Sequence, residues 1–350
     1  MKSIIFNSEI KNDHLIKIAV HHTYGLISAI SQRSILLLNH DMNIVGQYFD
    51  SDPSEKYYSL CFIDLKYNWN IQHIISDQVH ENETLTKPFV AVGGNSGLIK
   101  IVDIETGKFA QILRGHTGII TVLKSIDHYI ISGSGDNTIR IWDCHTETCI
   151  GIMGGMFGHK GTILSIDIHY SQKKIISAGI DCTIKEWNIE PFYHSDNEDN
   201  YLQSPLYTYE ELYNSPIVQA KYYGDIIISM SDYVMIAVLS NNLYNTIHSN
   251  LPQFINNQDI LSIDKPFILG HIQLKTPCLS FSIVQNTFIG LNTNGEIFYF
   301  DLSSGWSQNT LLINYLKLIH FLDFVYDNNF IYIVHGDGIS RENISPDIIK

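Results

Sequence analysis

The sequence lacks the features that mark several classes of protein. Its five cysteines are an odd number with no CxxC pair, which argues against a disulfide framework and a cysteine zinc site and favours reduced thiols. No stretch approaches the ~18 consecutive apolar residues that a membrane-spanning helix requires. The N-terminal "MKSIIFNSEIKND" has neither the apolar core nor the cleavage site of a signal peptide. We therefore expect a soluble protein with no membrane partner.

Basic residues and catalytic motifs are also scarce. Lys and Arg number 22 against 36 Asp and Glu, the formal net charge is −14, and no basic run occurs. Such a surface repels phosphate backbones, so we predict no direct nucleic-acid binding. We find no P-loop, GxSxG, HExxH or dinucleotide-binding GxGxxG motif, and sequence places no further ligand beside the pair His21-His22. The sequence therefore predicts no cofactor, no metal and no catalytic residues.

Short strand-like runs are plentiful instead. Typical examples are "YIISGS", "TIRIWD", "KIISAG" and "FIYIVH", which are β-branched or aromatic and separated by Gly, Asn, Asp or Ser. Almost no segment has a helical period. Many evenly spaced short strands are typical of sandwiches, barrels and propellers, and the repeat length distinguishes these folds.

Two segments repeat closely enough to give that length. The dipeptide Gly-His occurs at 115–116 and 158–159, and Trp142 and Trp187 lie 45 residues apart. This period resembles the WD40 repeat, one four-stranded propeller blade, in which a His, a Ser or Thr, an Asp and a Trp form a buried hydrogen-bond chain. The matching sets are His116, Ser132, Asp136 and Trp142, and His159, Ser177, Asp181 and Trp187. We interpret them as structural tetrads rather than catalytic triads, because a buried indole N–H without a partner costs ~1–3 kcal/mol.

The repeat predicts an all-β, seven-bladed WD40 β-propeller that occupies residues 1–350 as a single domain. Other blades are degenerate: Ser96 and Val102 stand at the Asp and Trp positions of one, and Asn294 and Phe300 at those of another. A propeller must close, so we expect an N-terminal strand to complete the last sheet. Two acidic or polar segments, near 190–216 and 250–267, are predicted as inter-blade insertions, the first either solvated or partner-binding.

Whole phrases of the chain are similar to one WD40 family. They are "AVGGNSGLIKIVD", "LRGHTGIITVLK", "GIMGGMFGHKGTILSIDI", "IISAGIDCTIKEWNI" and "AKYYGDIIISMS". In this order they resemble the WD40 subunit of Polycomb repressive complexes, called EED in animals and extra sex combs in flies. The similarity runs from about Tyr57 to Ser231 and continues more weakly through "LGHIQLKTPCLSFS" and "GEIFYFDL". The GGxxGH phrase at 154–159 is more specific than the WD dipeptides, which any WD40 propeller can contain.

The resemblance implies a non-catalytic nuclear scaffold. In that family one face of the propeller holds a helix of an enhancer-of-zeste type SET-domain subunit, and the complex methylates lysine 27 of histone H3 and represses transcription. The opposite face reads the trimethylated product in an aromatic cage. The acidic composition is compatible with a basic histone tail as a partner.

Carried over residue by residue, that cage is incomplete. One family aromatic falls on Tyr58, whereas the others fall on Ala19, Pro277 and Cys278. A single ring gives ~0.5–1 kcal/mol for an exposed cation, so we predict weakened trimethyl-lysine reading. Three neighbouring aromatics could supplement the remaining ring: Tyr57, Tyr24 and Phe281.

Two other classes of function stay open at this point. A generic WD40 adaptor, for example of a ubiquitin ligase or an RNA-processing complex, needs only the propeller. An enzyme would need clustered carboxylates or ligand spacing in the central channel, which the sequence does not display. The leading hypothesis is the Polycomb scaffold, with a SET-domain subunit and the histone H3 tail as its partners.

Overall fold

The strands of the protein form seven separate sheets. The structure is a computed structural model that describes residues 2–5, 14–66, 86–193, 201–240, 268–294, 296–302, 314–317, 323–327, 330–335 and 338–343. Six sheets have four strands and one has five, and the prediction of a seven-bladed all-β propeller is confirmed. The helical segments of these residues are two short 3-10 turns, Tyr170–Gln172 and Glu190–Tyr193. Within the described residues no helix is long and apolar enough to span a membrane.

Blades 1 to 4 are meanders of consecutive antiparallel strands. Blade 1 comprises β2 (Lys17–His21), β3 (Leu26–Ile30), β4 (Ser34–Asn39) and β5 (Ile44–Phe49). Blade 2 comprises β6 (Tyr57–Lys66), β7 (Thr86–Gly94), β8 (Ile99–Asp103) and β9 (Phe109–Leu113). Blade 3 comprises β10 (Ile120–Ile126), β11 (Tyr129–Ser134), β12 (Ile139–Asp143) and β13 (Thr148–Met153), with β17 (Tyr201–Leu202) added outside β13. Blade 4 comprises β14 (Ile163–His169), β15 (Lys174–Gly179), β16 (Ile184–Asn188) and β18 (Tyr207–Tyr209).

Blades 5 to 7 complete the ring. Blade 5 comprises β19 (Gln219–Tyr223), β20 (Ile226–Met230), β21 (Val234–Leu239) and β22 (Ile268–Gln273). Blade 6 comprises β23 (Cys278–Val284), β24 (Thr287–Asn292), β25 (Glu296–Asp301) and β26 (Asn314–Lys317). Blade 7 comprises β27 (Asp323–Asp327), β28 (Phe330–His335), β29 (Gly338–Asn343) and, outermost, β1 (Lys2–Ile5).

The N-terminal strand closes the ring as the sequence predicted. Strand β1 pairs antiparallel with β29, in a register that places Lys2 opposite Arg341 and Ile5 opposite Gly338. The outer strand of blade 7 therefore comes from the opposite end of the chain. Joining the two ends in one sheet covers an edge that would otherwise expose unpaired backbone groups.

The core lies between the blades rather than in one place. Each of the seven apolar clusters of the described residues joins two neighbouring sheets, including blades 7 and 1, where Leu38 packs with Tyr332. Because neighbouring blades cover both faces of a sheet, all five residues of β8 are buried. The five cysteines are free thiols, and Cys61 and Cys144 belong to the cluster between blades 2 and 3.

The segment predicted as an insertion near 190–216 contributes strands to two blades. Strand β17 pairs in parallel with β13 of blade 3, and β18 is the outer strand of blade 4. Tyr209 of β18 is buried in the cluster between blades 4 and 5, so its ring fills core space. This tyrosine-rich segment is therefore partly structural, and residues 194–200 and 250–267 lie outside the described residues.

Candidate functional site

A cavity of about 1140 Å³ lies along the propeller axis, lined by the first, innermost strand of all seven blades. The connectors, which lead from one blade into the inner strand of the next, and the turns between second and third strands form one end, the connector face. The other turns form the opposite end, the hairpin face. His116 and Asp136 lie on the connector face, whereas His128 and His145 lie on the hairpin face.

The structure brings the four predicted residues of blade 3 together. The indole Nε1 of Trp142 lies 2.8 Å from Ser132 Oγ, and that oxygen lies 2.7 Å from His116 Nε2. His116 Nδ1 lies 2.8 Å from Asp136 Oδ2. Trp142 and His116 are 1% and 7% exposed. The chain of hydrogen bonds thus fastens the connector that enters blade 3 to its second and third strands.

Blade 4 repeats this arrangement. Trp187 Nε1 lies 2.9 Å from Ser177 Oγ, which lies 2.7 Å from His159 Nε2. His159 Nδ1 lies 2.9 Å from Asp181 Oδ2. The backbone N–H of Lys160 donates to the same carboxylate at 2.8 Å. The spacing of these residues in the sequence is therefore the spacing that this network requires.

Burial and hydrogen bonding set the charge state of the first tetrad. Burial lowers the pKa of His116 despite the neighbouring carboxylate, so the imidazole is neutral at pH 7. Burial alone would raise the pKa of Asp136, but hydrogen bonds from His116 and Thr138 outweigh it and hold that pKa well below its usual range. The donors then run in one direction, from Trp142 through Ser132 and His116 to Asp136.

The Ser-His-Asp order within each tetrad is also that of a hydrolase triad. Here each serine oxygen accepts an indole N–H, and Ser132 and Ser177 are both 0% exposed. A substrate carbonyl has no route to either hydroxyl. The geometry therefore gives these residues a structural role.

Blade 2 lacks the tetrad and fastens its connector with a buried ionic network. Lys100 of β8 binds Asp50 and contacts Glu55 Oε2 at 2.9 Å, both carboxylates lying in the connector. Glu55 also accepts a hydrogen bond from Ser96, the residue at the position of the tetrad aspartate. Tyr57 donates to Asp50 Oδ2 at 2.6 Å. In blade 2 an ion pair thus fastens the connector to the blade, as the hydrogen-bond chain of the histidine does in blades 3 and 4.

Blade 5 uses a tyrosine for the same purpose. Tyr213, in its connector, donates to the carbonyl oxygen of Ser229 at 2.7 Å and lies 3.0 Å from Ser229 Oγ. Ser229 stands fourth in β20, as Ser132 stands fourth in β11. Neither residue belongs to a tetrad predicted from the sequence. The signal available was the serine at the tetrad register in "IIISMS".

Tyr58 reaches the channel because of a backbone irregularity. The pairing of β6 with β7 shifts between Tyr57 and Ser59, which leaves Tyr58 as the bulged residue. Equivalent shifts occur in blades 3, 4 and 6. The side chains at these four positions all line the cavity: Tyr58, Thr121, Leu164 and Leu279. Tyr58, which is 36% exposed, is the aromatic member of this set.

The other cage positions do not add aromatic rings. Ala19 lines the cavity from β2. Cys278 is 3% exposed and packs in the cluster between blades 5 and 6, where burial raises the pKa of its thiol to about 12. The cavity lining continues from Leu279, so Pro277 and Cys278 do not contribute to it.

The three aromatics that could supplement Tyr58 are held elsewhere. Tyr57 is 1% exposed and points into the core between blades 1 and 2. Phe281 is also 1% exposed and stacks on Phe288 with ring centroids 4.9 Å apart. Tyr24 lies in the turn after β2, on the hairpin face, and donates to the carbonyl oxygen of Thr86 at 3.0 Å. Of these four aromatic residues, Tyr58 is the one left accessible on the connector side of the channel.

Comparison with known sequences identifies the repeat. The WD domain, G-beta repeat family matches residues 107–143 and 148–188, the two stretches that end on the strands of Trp142 and Trp187. The chain is a seven-bladed β-propeller that contains two WD40 repeats. Its remaining blades share the architecture without matching that pattern closely, as their different connector chemistry indicates.

Relatives of this propeller are Polycomb proteins. Polycomb protein esc of Drosophila virilis is 32% identical over 159 residues, which cover 44% of the propeller chain and 33% of the relative. Polycomb group protein FIE1 of Zea mays is 30% identical over 178 residues, covering 49% and 35%. Polycomb protein EED of Chaetomium thermophilum is 33% identical over 151 residues, covering 41% and 26%. The propeller thus aligns with about a quarter to a third of each relative's length. The resemblance to the EED and extra sex combs family is confirmed.

Solved structures with the same fold belong to a Polycomb complex. A chain of a humanized mutant of the Chaetomium thermophilum Polycomb Repressive Complex 2 bound to the inhibitor GSK126 superimposes with a TM-score of 0.65 at 20% identity. The match covers 87% of the propeller and 71% of that chain. A chain of the same organism's complex with H3K27me3 and H3K27M superimposes with a TM-score of 0.65 at 20% identity, and this match covers 87% of the propeller and 70% of that chain. At these identities the superposition establishes the fold.

Proposed function

We propose that this propeller is the non-catalytic WD40 scaffold subunit of a Polycomb-type complex that methylates lysine 27 of histone H3. The observation that carries the proposal is the similarity to esc, EED and FIE1 proteins at 30–33% identity over more than 150 residues. A WD40 fold alone is shared by proteins of many functions. The similarity beyond the WD dipeptides favours this family over a generic adaptor.

The architecture suits a scaffold. A closed ring with seven apolar interfaces is rigid, and its connectors are fastened by buried hydrogen bonds, so both faces present fixed surfaces. The net charge of −14 favours basic partners such as histone tails. We place the protein in the nucleus, with a SET-domain catalytic subunit and the H3 tail as its partners.

We assign the helix of the SET-domain subunit to the hairpin face. The resemblance implies that the helix and the aromatic cage use opposite faces, and Tyr58, the predicted cage residue, lies toward the connector face. An amphipathic helix binds through a row of apolar contacts. The hairpin face offers exposed rings for this purpose, since Tyr170 is 66% and Tyr24 is 45% exposed. Both rings lie in segments that follow inner strands, and Tyr170 also lines the channel.

We further propose that trimethyl-lysine reading is weakened. Several aromatic faces around a quaternary ammonium are needed to hold it, and each exposed ring contributes ~0.5–1 kcal/mol. Tyr58 stands with Leu279, Leu164 and Thr121 rather than with other rings. This limits the preference for a trimethylated peptide to about fivefold, which corresponds to ~1 kcal/mol.

A native pull-down with the full chain as bait tests the scaffold role. We expect recovery of a SET-domain protein, with loss of this partner in Tyr170→Asp on the hairpin face. The matched control is Met156→Asp, since Met156 is 74% exposed on the connector face, and this variant should retain the partner. Recovery of ubiquitin-ligase or RNA-processing subunits without a SET-domain protein would refute the proposal and favour the generic adaptor.

Peptide titration tests the reading function separately. Unmodified and trimethylated H3 lysine 27 peptides are titrated against the wild-type chain and Tyr58→Ala. We expect at most about a fivefold preference for the trimethylated peptide, removed in the variant. A preference of a hundredfold or more would contradict the weakened cage while leaving the scaffold role intact.

A further inference from the structure

Three potential metal ligands meet on the hairpin face of blade 3. His128 lies in the turn between β10 and β11, and Asp143 and His145 lie at the turn between β12 and β13. One donor atom from each residue lies within 4.8 Å of the other two. The two imidazole rings are stacked with centroids 4.2 Å apart, and His128 Nε2 lies 3.9 Å from Asp143 Oδ1.

The sheet holds the two turns in register. Tyr129 pairs with Asp143 across β11 and β12, and the N–H of Cys144 donates to the carbonyl oxygen of His128 at 3.1 Å. Asp143 Oδ1 accepts the N–H of His145 at 2.7 Å, which fixes the carboxylate against its own turn. The three side chains therefore project from a rigid frame.

We propose that His128, Asp143 and His145 bind a zinc ion on the hairpin face, with water completing a four-coordinate site. Two imidazoles and one carboxylate are a ligand set that zinc accepts, with bonds of ~2.0–2.2 Å. Tetrahedral coordination at those bond lengths places donor atoms about 3.3 Å apart. The distances between the donor atoms must therefore shorten by about 1.5 Å at most. His145 is exposed, and its ring would leave the stack on His128 to bind the ion.

The charges around these ligands allow a cation to bind. Asp143 supplies a negative charge. Besides the ligand His145, Asp127 and Lys66 act on His128, and their charges are of opposite sign. Sequence spacing alone does not reveal the site, because its ligands lie 15 and 2 residues apart and form no zinc motif.

The adjacent His21-His22 pair, the histidine pair evident in the sequence, is a weaker candidate. His21 Nε2 lies 2.9 Å from Asp64 of blade 2, and His22 Nδ1 lies 2.7 Å from Asp327 of blade 7. The two rings therefore serve different blades and do not converge on one point. His22 is 68% exposed, which makes it a suitable control position.

The test uses the full chain, stripped with a chelator and titrated with Co²⁺ as a spectroscopic probe, then with Zn²⁺ in competition. We expect one Co²⁺ per chain, with visible ligand-field absorption of a low-coordinate site that Zn²⁺ abolishes. Asp143→Asn keeps an acceptor for the His145 N–H, and His145→Ala changes an exposed side chain, so both variants should fold. Each should bind Co²⁺ at least tenfold more weakly, whereas His22→Ala should match the wild type.

Three results would overturn the proposal. They are the absence of saturable Co²⁺ binding, unchanged affinity in His145→Ala, and an equal loss of affinity in His22→Ala. None of these outcomes depends on whether the propeller belongs to a methyltransferase complex. The test of the zinc site is therefore independent of the test of the proposed function.

Discussion

Replacing Asp136 by alanine should remove most of the fastening of blade 3. Its carboxylate accepts hydrogen bonds from His116 Nδ1 at 2.8 Å, from the N–H groups of Thr117 and Thr138 at 3.0 Å each, and from Thr138 Oγ1 at 2.6 Å. The side chain is 9% exposed. An alanine leaves four donors without their acceptor at the junction of blades 2 and 3.

The expected cost follows from which of these donors stay buried. His116 is 7% exposed and its Nδ1–H loses its partner, whereas the N–H of Thr117 lies at an exposed position and can bind water. Leaving a buried donor without its acceptor costs ~1–3 kcal/mol, and more than one of these donors loses its acceptor. Because water reaches part of this site, we expect about 3 kcal/mol, a large share of a typical total of ~5–15 kcal/mol.

Urea unfolding at pH 7 measures this loss. Tryptophan fluorescence is a suitable signal, since the indole of Trp142, one of four tryptophans, belongs to the same chain of hydrogen bonds. Asn294→Ala is the matched control, because Asn294 occupies the aspartate position of blade 6 and is exposed. It should cost less than about 0.5 kcal/mol. A loss below about 1 kcal/mol in Asp136→Ala, or one equal to that of Asn294→Ala, would refute the role assigned to the tetrad.

Three further predictions concern the same connectors. Lys100→Met should cost ~3–5 kcal/mol in urea unfolding, because the buried carboxylates of Asp50 and Glu55 lose their cation; a neutral result would show that the network is solvated. Gly94→Ala should lower the free energy of unfolding by ~1–3 kcal/mol in the same assay, since a Cβ there would lie 2.0 Å from the Lys56 carbonyl oxygen. Gly224→Ala is the control for backbone strain, because its Cβ would meet open space while its φ of 56° is left-handed. The free energy of unfolding should fall below about pH 6.5, because the unfolded chain protonates His116 there whereas the folded chain, in which the pKa of His116 is lowered, does not. It should fall again below about pH 4, because the pKa of Asp136 is lowered in the folded chain and the unfolded chain therefore protonates this carboxyl first. Unfolding midpoints that are constant from pH 7 to pH 5 would contradict the histidine part of this prediction.

Sequence alone predicted the parts of the propeller whose chemistry repeats. The tetrads of blades 3 and 4 use the same four residue types at nearly the same spacing, so two copies sufficed to give the period and the blade count. Ring closure by an N-terminal strand followed from the need to cover a sheet edge. These inferences needed only short-range patterns and one general constraint.

Sequence did not predict the connectors of blades 2 and 5, because there the residue types change. Lys100 pairs with carboxylates about 50 positions earlier, and Tyr213 meets Ser229 across a connector of irregular length. No local pattern links such residues. The same limit explains why the tyrosine-rich stretch near 190–216 gave no indication of β17 and β18, which are short strands set by their partners rather than by propensity.

The cage predicted from the resemblance is a case in which the structure changes the meaning of a sequence difference. The resemblance assigns one cage aromatic to the position of Cys278. The Cys278 side chain packs between blades 5 and 6 in the same cluster as Phe281, and its Sγ lies 3.1 Å from the carbonyl oxygen of Leu291. A tyrosine introduced there would enter an already filled core and cost ~1–3 kcal/mol in overpacking. The bulged position in this blade belongs instead to Leu279, which faces the channel as Tyr58 does in blade 2. An aromatic added at Leu279, rather than at Cys278, is therefore the change that would place a second ring in the channel that Tyr58 lines.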